Sequence, residues 1–267
     1  MGAAAALKKT RHMPLTIQYC SDLHLEFEMN RKWVGKYPLE QKADILLLGG
    51  DVLLLAQMQR HNDFLDLVSA QYQAVYWIPG NHEYYHSDIA LRSGVLNEAI
   101  RDNVFLVNNT VISLGDTDLI CSTLWSHIQP GHEWEITRAM SDFHVIKNGG
   151  GRFSISAYNR LHQQAREFLE LAIAGSNAAH RIVLTHHVPT LMNYPEKYKG
   201  DVVNEAFATE MHDLIEDSGV DYWLYGHTHW NTPDFMIGRT QLLTNQLGYV
   251  QYGENKHFGR GKTFTVR

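Results

Sequence analysis

Polar side chains of the kinds that bind metal ions follow several of the apolar runs in this sequence. Each run rich in valine, isoleucine, leucine or tyrosine is followed within a few residues by histidine, aspartate or asparagine. These residues are Asp22 and His24, then Asp51, Asn81 and His82, His186 and His187, and His227 and His229. Carboxylates, neutral imidazoles and an amide oxygen form a donor set suited to manganese, iron, zinc or nickel, and unlike the thiolate cages of structural zinc. The residue types therefore indicate a metal site.

The number of candidate ligands indicates two metal ions. A single His-x-His pair, such as His227 and His229, arises easily by chance and more often belongs to a solvated loop. The candidate ligands are Asp22, His24, Asp51, Asn81, His186, His227 and His229. Seven ligands are too many for one tetrahedral ion, but they suit two ions that share a carboxylate.

A parallel sheet would bring these residues together. Short apolar runs alternate with segments of helical spacing, which predicts a mixed α/β domain. Each candidate ligand follows an expected strand, and the carboxyl ends of strands in α/β sheets converge on one crevice, where ligand sites are built. We therefore expect one site at the ends of five strands.

The segments between these strands allow further expectations. The spacing predicts helices over 88–101, over 155–175 with Ser154 as the N-cap, and over 205–219, whereas 141–153 reads as a loop. Residues 104–109, 110–115 and 118–125 are expected to form short strands joined by turns, and the sheet is expected to divide there.

Composition limits the classes of function. The 267 residues are 44% hydrophobic and 19% charged, typical of a globular protein, and we expect a single domain at residues 13–267 after an expression leader at residues 1–12. A net charge of -6 gives no sign of a broad basic surface for nucleic acid. The apolar runs are too short to span a membrane. Two cysteines, Cys20 and Cys121, lie in strand-like runs and indicate reduced thiols in a cytoplasmic protein.

Five motifs in order identify a resemblance. The stretches SDLHLEF, LLGGDV, PGNHEYY, LTHHVPT and YGHTHW resemble the calcineurin-like metallophosphoesterase family, and the resemblance runs from about residue 15 to residue 258. STLWSHI, MSDFHVI and TNQLGYVQYGEN further resemble a bacterial branch of predicted phosphoesterases. The resemblance implies an α/β fold: a two-layer β-sandwich flanked by helices, in an αββα arrangement.

The resemblance also implies a role for each motif residue. Asp22, His24 and His229 would hold one metal ion, Asn81, His186 and His227 the other, and Asp51 would bridge the two. His82 would be the catalytic histidine. The implied enzyme is a dinuclear-metal phosphoesterase that hydrolyses small phosphomonoesters or phosphodiesters by in-line attack of a metal-bridging hydroxide.

Other residues near the motifs are candidates for the substrate pocket or for packing. His187, Trp125 and Tyr84 are candidates for substrate contact, although packing explains them equally well, and the same alternatives apply to Tyr85 and His127. Asp142 is expected to fix a loop. The nine histidines outside the motifs and the Trp125 loop are expected at the surface.

Two other functions remain open. The first is a nuclease of the same superfamily, which the acidic charge disfavours, and the second is a non-catalytic scaffold on the same fold, which the intact His82 disfavours. Protein phosphatases of the superfamily carry an Asp and an Arg after the second motif, where this chain has Leu54 and Leu55. The substitution argues against a phosphoprotein phosphatase and leaves His82 without an evident partner.

Overall fold

Fourteen strands form the sheets in the described part of the protein. The computed structural model describes residues 14–266, so the expected leader at residues 1–12 lies outside the described residues. The strands are β1 (Leu15–Cys20), β2 (Ile45–Leu48), β3 (Ala74–Trp77), β4 (Leu96–Arg101), β5 (Val104–Asn108), β6 (Thr110–Leu114), β7 (Thr117–Ser122), β8 (Lys147–Asn148), β9 (Gly151–Arg152), β10 (His180–Thr185), β11 (Tyr222–Tyr225), β12 (Phe235–Ile237), β13 (Thr240–Thr244) and β14 (Thr263–Val266).

The two six-stranded sheets have the same pattern of parallel and antiparallel strands. The first has the order β14-β1-β2-β3-β5-β4 and the second β12-β13-β11-β10-β7-β6, while β8 and β9 form a separate hairpin. In each sheet four central strands run parallel, and each edge strand pairs antiparallel with its neighbour. The division falls between β5 and β6, as expected. The carboxyl ends of the parallel strands therefore lie along one edge of each sheet.

Helices connect the strands and cover the sheets. The α-helices are α1 (Glu28–Lys36), α2 (Asn62–Gln71), α3 (Glu133–Ala139), α4 (Asp142–Val145), α5 (Ile155–Gly175) and α6 (His212–Asp217). Short 3-10 helices span Leu55–His61, His82–Tyr84, Ile89–Leu91, Pro130–His132, Glu196–Tyr198, Val202–Ala206, Val250–Tyr252 and Glu254–His257. The Ser154 hydroxyl accepts a hydrogen bond from the Ala157 N–H at 3.2 Å, which confirms the predicted N-cap of α5.

The cores confirm the layered fold. Ile17, Leu47, Leu119 and Leu184, from both sheets, belong to one buried cluster between them. Separate clusters cover the outer faces, one with α1 and α2 and the other with α5 and α6. Strand β2 is buried on both faces, so its leucines face two different cores, and each fully buried leucine contributes about 1.5–3 kcal/mol. The arrangement is the α/β two-layer sandwich flanked by helices that the resemblance implies.

Three local predictions were wrong. Residues 88–101 form a 3-10 turn and then β4. Gly94, which precedes the strand, adopts a left-handed φ of 80°. In β4, Leu96 and Ile100 alternate with polar residues and pack on the first core, while the strand pairs with β5. The expected helix over 205–219 is helical only in its α6 portion, after a 3-10 turn at Val202–Ala206. The expected loop at 141–153 contains α4 and the β8–β9 hairpin.

Both cysteines are buried free thiols, in agreement with the expectation of reduced cysteines. Within residues 14–266 we find no helix with the length and apolar character needed to cross a membrane.

Candidate metal centre

The seven predicted ligands converge at the strand ends. They follow β1, β2 and β3 of the first sheet and β10 and β11 of the second. Six of the seven side chains are buried, and the seventh, His229, is partly exposed. Residues separated by up to about two hundred positions thus meet at one edge of the sandwich, as the strand-end pattern predicts.

An unusual backbone conformation aims these side chains. Five of the seven have positive φ angles: Asp22 57°, His24 47°, Asp51 53°, His227 77° and His229 53°. Such left-handed backbone is uncommon for residues other than glycine, although Asp and His adopt it more often than most. Two neighbouring glycines leave room for the ligands. A Cβ on Gly80 would lie 2.2 Å from the Asp51 carboxylate, and one on Gly226 would lie 2.6 Å from that of Asp22.

The first cluster contains Asp22, His24, Asp51 and His229. Their candidate ligand atoms all lie within 4.8 Å of one another. The Nε2 atoms of His24 and His229 are 2.9 Å apart. Their outer nitrogens face carboxylates, with His24 Nδ1 3.1 Å from Glu26 Oε1 and His229 Nδ1 2.8 Å from Glu254 Oε2. An imidazole that donates its outer N–H presents a lone pair on the inner nitrogen, so the two lone pairs face each other and require a cation or a proton between them.

The second cluster repeats this arrangement. Asp51, His186 and His227 offer ligand atoms within 4.8 Å of one another, and His186 Nε2 is 3.1 Å from His227 Nδ1. Here the outer nitrogens face backbone carbonyls, His186 Nδ1 lying 2.8 Å from Gly49 O and His227 Nε2 3.3 Å from Ala206 O. Again two inner nitrogens face each other.

Asn81 completes this second cluster. Its side-chain amide donates to Asp142 Oδ2 at 3.3 Å and lies 3.4 Å from the hydroxyl of Tyr85. Its carbonyl oxygen Oδ1 is buried and has no hydrogen-bond partner among the described residues. Because an unpaired buried carbonyl is costly, this oxygen fits the role of a metal ligand. Asp142 thus orients Asn81, a more specific role than the loop-fixing one expected for it.

The dimensions of the two clusters fit metal ions. Two nitrogens that bind one ion at about 2.0–2.1 Å, with bond angles of about 90–110°, lie about 2.9–3.4 Å apart. Both facing imidazole pairs have this separation, at 2.9 Å and 3.1 Å. Asp51 is the one residue common to both clusters, 3.8 Å from His24 Nε2 and 3.4 Å from His186 Nε2. Its position suits a shared ligand.

His82 lies beside the clusters with different contacts. Its Nδ1 is 2.9 Å from Glu26 Oε1, its ring stacks on Tyr85 with centroids 4.1 Å apart, and its Nε2 is 3.5 Å from the hydroxyl of Tyr249. Burial lowers the pKa of His82, but the Asp51 and Glu26 carboxylates outweigh burial and raise it to about 9. The His82 imidazole therefore lies between two carboxylates that favour its protonated form.

Glu26 is the partner of His82 that sequence reasoning missed. Although burial opposes ionisation, hydrogen bonds from His24 and His82 lower the pKa of Glu26 to about 2. The Glu26 carboxylate is therefore charged and links a predicted metal ligand to the predicted catalytic histidine. The alternation of Asp22, His24 and Glu26 in SDLHLEF was the available signal.

Glu83 is a second residue that the sequence reasoning left without a role. Its carboxylate accepts four hydrogen bonds, from the N–H groups of Asp51, Val52 and Gly80 at 2.7–2.8 Å and from the Trp77 indole at 3.0 Å. The buried Glu83 carboxylate therefore ties the loop after β2 to the loop after β3. It fixes Asp51 relative to Asn81 and His82.

A cavity of about 270 Å³ opens in front of the two clusters. Its aromatic lining consists of Tyr85, Tyr198, Phe207 and Tyr249. The candidates His187, Trp125 and Tyr84 do not line this cavity, and they are at most 3% exposed. The His187 ring lies 4.2 Å from that of His227, and the Trp125 ring lies 5.2 Å from that of His187, so these residues pack behind the ligands. Their burial argues against direct substrate contact.

The remaining histidines differ in burial. His127 lines a separate cleft of about 970 Å³ together with Arg160 and Glu205, and none of the seven candidate ligands lines that cleft. The expectation that the other nine histidines lie at the surface was wrong for His61 and His162, which are 2% and 5% exposed. Burial lowers the pKa of His162 to about 4, so this histidine is a neutral core residue.

Comparisons with known proteins agree with this geometry. The sequence model named calcineurin-like phosphoesterase matches residues 15–231. Protein L509 of Acanthamoeba polyphaga mimivirus is 30% identical over 265 residues, covering 90% of this chain and 93% of the viral protein.

Two solved structures share the fold at low sequence identity. Phosphopantetheinyl hydrolase (PptH) from Mycobacterium tuberculosis superposes with a TM-score of 0.68 at 15% identity, covering 95% of this chain and 96% of that one. The protein TT1561 of Thermus thermophilus gives a TM-score of 0.50 at 16% identity, covering 96% of this chain and 99% of that one.

Proposed function

The chain belongs to the calcineurin-like phosphoesterase family, a family of metal-dependent phosphoester hydrolases, and from this premise we propose that it works with two metal ions and His82. The observation that carries the proposal is the pair of facing imidazole contacts, His24 to His229 and His186 to His227, on either side of Asp51. Each contact supplies two lone pairs at the spacing of ligands to a common ion. Asp51 lies between them as the shared carboxylate.

The ligand assignment follows the two clusters. Asp22, His24 and His229 would hold the first ion and Asn81, His186 and His227 the second, with Asp51 as a ligand to both. A pair of ions held there would supply a water activated for in-line attack and positive charge to offset that of the phosphoryl oxygens. The mixed nitrogen and oxygen donors suit manganese, iron, zinc or nickel.

His82 is proposed to protonate the leaving oxygen. Its Nδ1 donates to Glu26, so the ring is fixed with Nε2 directed toward the cavity, and stacking on Tyr85 limits its rotation. The Glu26 carboxylate favours the protonated form of His82, so a proton is available for the leaving oxygen. General acid catalysis of this kind contributes about 10²- to 10⁴-fold to the rate.

The substrate is proposed to be a small phosphomonoester or phosphodiester, acted on in the cytoplasm. A nuclease function receives little support, because the chain has a net charge of -6 and no lysine or arginine among the described residues lines the cavity in front of the clusters. A non-catalytic scaffold would not require the buried hydrogen bond between His82 and Glu26, so this contact favours an enzyme.

A single set of measurements tests the proposal. The purified chain is loaded separately with manganese, zinc and iron, its metal content is determined by elemental analysis, and hydrolysis is followed for p-nitrophenyl phosphate, its bis ester, cyclic nucleotides and single-stranded DNA. We expect two ions per chain and turnover of at least one small ester. One ion per chain would contradict the dinuclear assignment, and full loading without turnover would favour a scaffold.

A further inference from the structure

The walls of the active-site cavity carry negative charge. Among the described residues that line the 270 Å³ cavity there is no lysine or arginine, whereas Asp51 and Glu254 contribute carboxylates. Glu26 lies directly behind His82, with its Oε1 2.9 Å from His82 Nδ1. Apart from bound metal ions, a substrate therefore meets carboxylates here and no ammonium or guanidinium group among the described residues.

The ammonium group of Lys197 comes near this wall without entering the cavity. Its Nζ lies 4.4 Å from the ring centroid of Tyr198 and 5.0 Å from that of Trp230. Lys197 and Trp230 line a neighbouring cleft. Lys197 is therefore engaged with these aromatic rings.

A second, smaller cavity of about 190 Å³ adjoins the first. The two share Tyr198, Phe207 and Thr228 as a common wall. The rest of the small cavity is lined mainly by neutral groups, including Tyr194 and Val203. Its one charged residue, Asp201, accepts a hydrogen bond from the Val203 N–H at 2.9 Å. Such a lining suits an uncharged, apolar or aromatic group, because tyrosine and phenylalanine rings pack well against planar organic groups.

We propose that the preferred substrate is a phosphodiester with a single negative charge, whose second organic group is uncharged and packs against Tyr198 and Phe207. This inference rests on the proposed function and narrows its substrate class. A phosphomonoester, with a second pKa of about 6, carries an additional charge above neutral pH. That second charge would face Glu254 without an arginine or lysine partner, and close like charges are unfavourable in a partly buried site.

Hydrolysis of the diester consumes one water molecule. The oxygen of one water bonds to phosphorus while the ester bond to the leaving oxygen breaks. One water proton ends on the leaving alcohol, supplied through His82, and the other is released because the product is a phosphomonoester with a low second pKa. The products are one alcohol and one phosphomonoester, and the enzyme is expected to release that monoester without hydrolysing it further at a comparable rate.

The test uses three substrates with the same leaving group: p-nitrophenyl phosphate, p-nitrophenyl methyl phosphate and p-nitrophenyl phenyl phosphate. They are assayed with the manganese-loaded protein at about pH 8, where the monoester is dianionic. We expect kcat/KM for the phenyl diester to exceed that for the monoester by about tenfold or more. We also expect the phenyl group to be preferred over the methyl group, and Tyr198→Ala to remove this second preference.

A rim substitution tests the charge argument separately. Ser141 lines the cavity, is exposed, and makes no side-chain hydrogen bond as the N-cap of α4, so an arginine there should be tolerated. We expect Ser141→Arg to raise kcat/KM for the monoester relative to that for the phenyl diester by about two- to fivefold, the range of one partly exposed charge pair. Leu171→Arg, on the exposed face of α5, is the matched control and should leave this ratio unchanged.

The outcomes separate this inference from the proposed function. Equal or better hydrolysis of the monoester by the native protein would overturn the inference while supporting the proposed function. Equal kcat/KM values for the methyl and phenyl diesters would overturn the proposal that the second organic group packs in the second cavity. Failure of the fully loaded protein to hydrolyse all three would contradict the proposed function itself.

Discussion

Glu26 Oε1 accepts a hydrogen bond from His82 Nδ1 at 2.9 Å. The same oxygen is 3.1 Å from His24 Nδ1, so one carboxylate orients both an expected metal ligand and the expected proton donor. In related protein phosphatases an aspartate after the second motif orients the catalytic histidine, and this chain has Leu54 and Leu55 in that region. Glu26 supplies an orienting carboxylate from a different strand end.

Replacement of Glu26 tests this role. We expect Glu26→Gln to lower kcat by about 10- to 100-fold with a smaller effect on KM, as for other residues that orient an active-site histidine. Loss of the negative charge should also lower the pKa of His82, so the decline of activity on the alkaline side should move to lower pH. Glu28→Gln, an exposed neighbour paired with Lys32, is the control and should behave as the native protein. An unchanged pH profile in Glu26→Gln would mean that Glu26 only packs against His82 and does not influence its protonation.

Removal of the His82 imidazole should separate metal binding from catalysis. His82 is not among the seven candidate ligands, so His82→Ala is expected to retain the native metal content. Its kcat should fall by about 10²- to 10⁴-fold, because the leaving oxygen loses its proton donor. Elemental analysis and steady-state kinetics on the same preparation measure the two effects. Native turnover by this variant would refute the assignment.

Asp51 should affect metal content itself. We expect Asp51→Asn to bind less metal than the native protein, because Asp51 belongs to both clusters and the amide lacks the charge that two cations share. His82→Ala serves as the comparison that disturbs the site but not the ligands. Two ions per chain in Asp51→Asn, by elemental analysis, would be inconsistent with a bridging carboxylate.

Chelation of the metal should destabilise the fold. Without cations, the two facing imidazole pairs and Asn81 Oδ1 lose their partners, and ligands that bind only the folded state stabilise it by mass action. We expect a Tm decrease on chelation that readdition of manganese reverses. The decrease should be smaller in Asp51→Asn. A Tm that does not respond to chelation would mean that metal adds nothing to the stability of these strand ends.

His162 should make the fold acid-sensitive. Its folded-state pKa of about 4 lies below the value of about 6.5 expected for an unfolded histidine. Between these values the unfolded chain binds a proton that the folded chain does not, so stability falls as pH decreases. From about pH 7.5 to pH 5 this one group should cost about 2 kcal/mol. Urea unfolding of His162→Gln should show a correspondingly smaller loss over this range, and an equal loss would contradict the buried, neutral assignment.

The strand ends were predictable from sequence because each ligand follows a short apolar run. The partners of those ligands were not, since Glu254, Asp142 and Ala206 reach the site from short helices whose positions depend on tertiary packing. Strand β4 was misread as a helix because its pairing with β5 outweighs local propensity. Of two adjacent tyrosines, Tyr85 and not Tyr84 faces the cavity, and a 3-10 turn at His82–Tyr84 decides which.

The left-handed backbone at five of the ligands has a consequence for engineering. Glycine would relieve the torsional strain at each of these positions, so a selection for heat resistance on metal-free protein would favour glycine there and discard the candidate metal ligands. Libraries built to improve the robustness of this enzyme should therefore hold Asp22, His24, Asp51, His227 and His229 constant and seek their gains elsewhere.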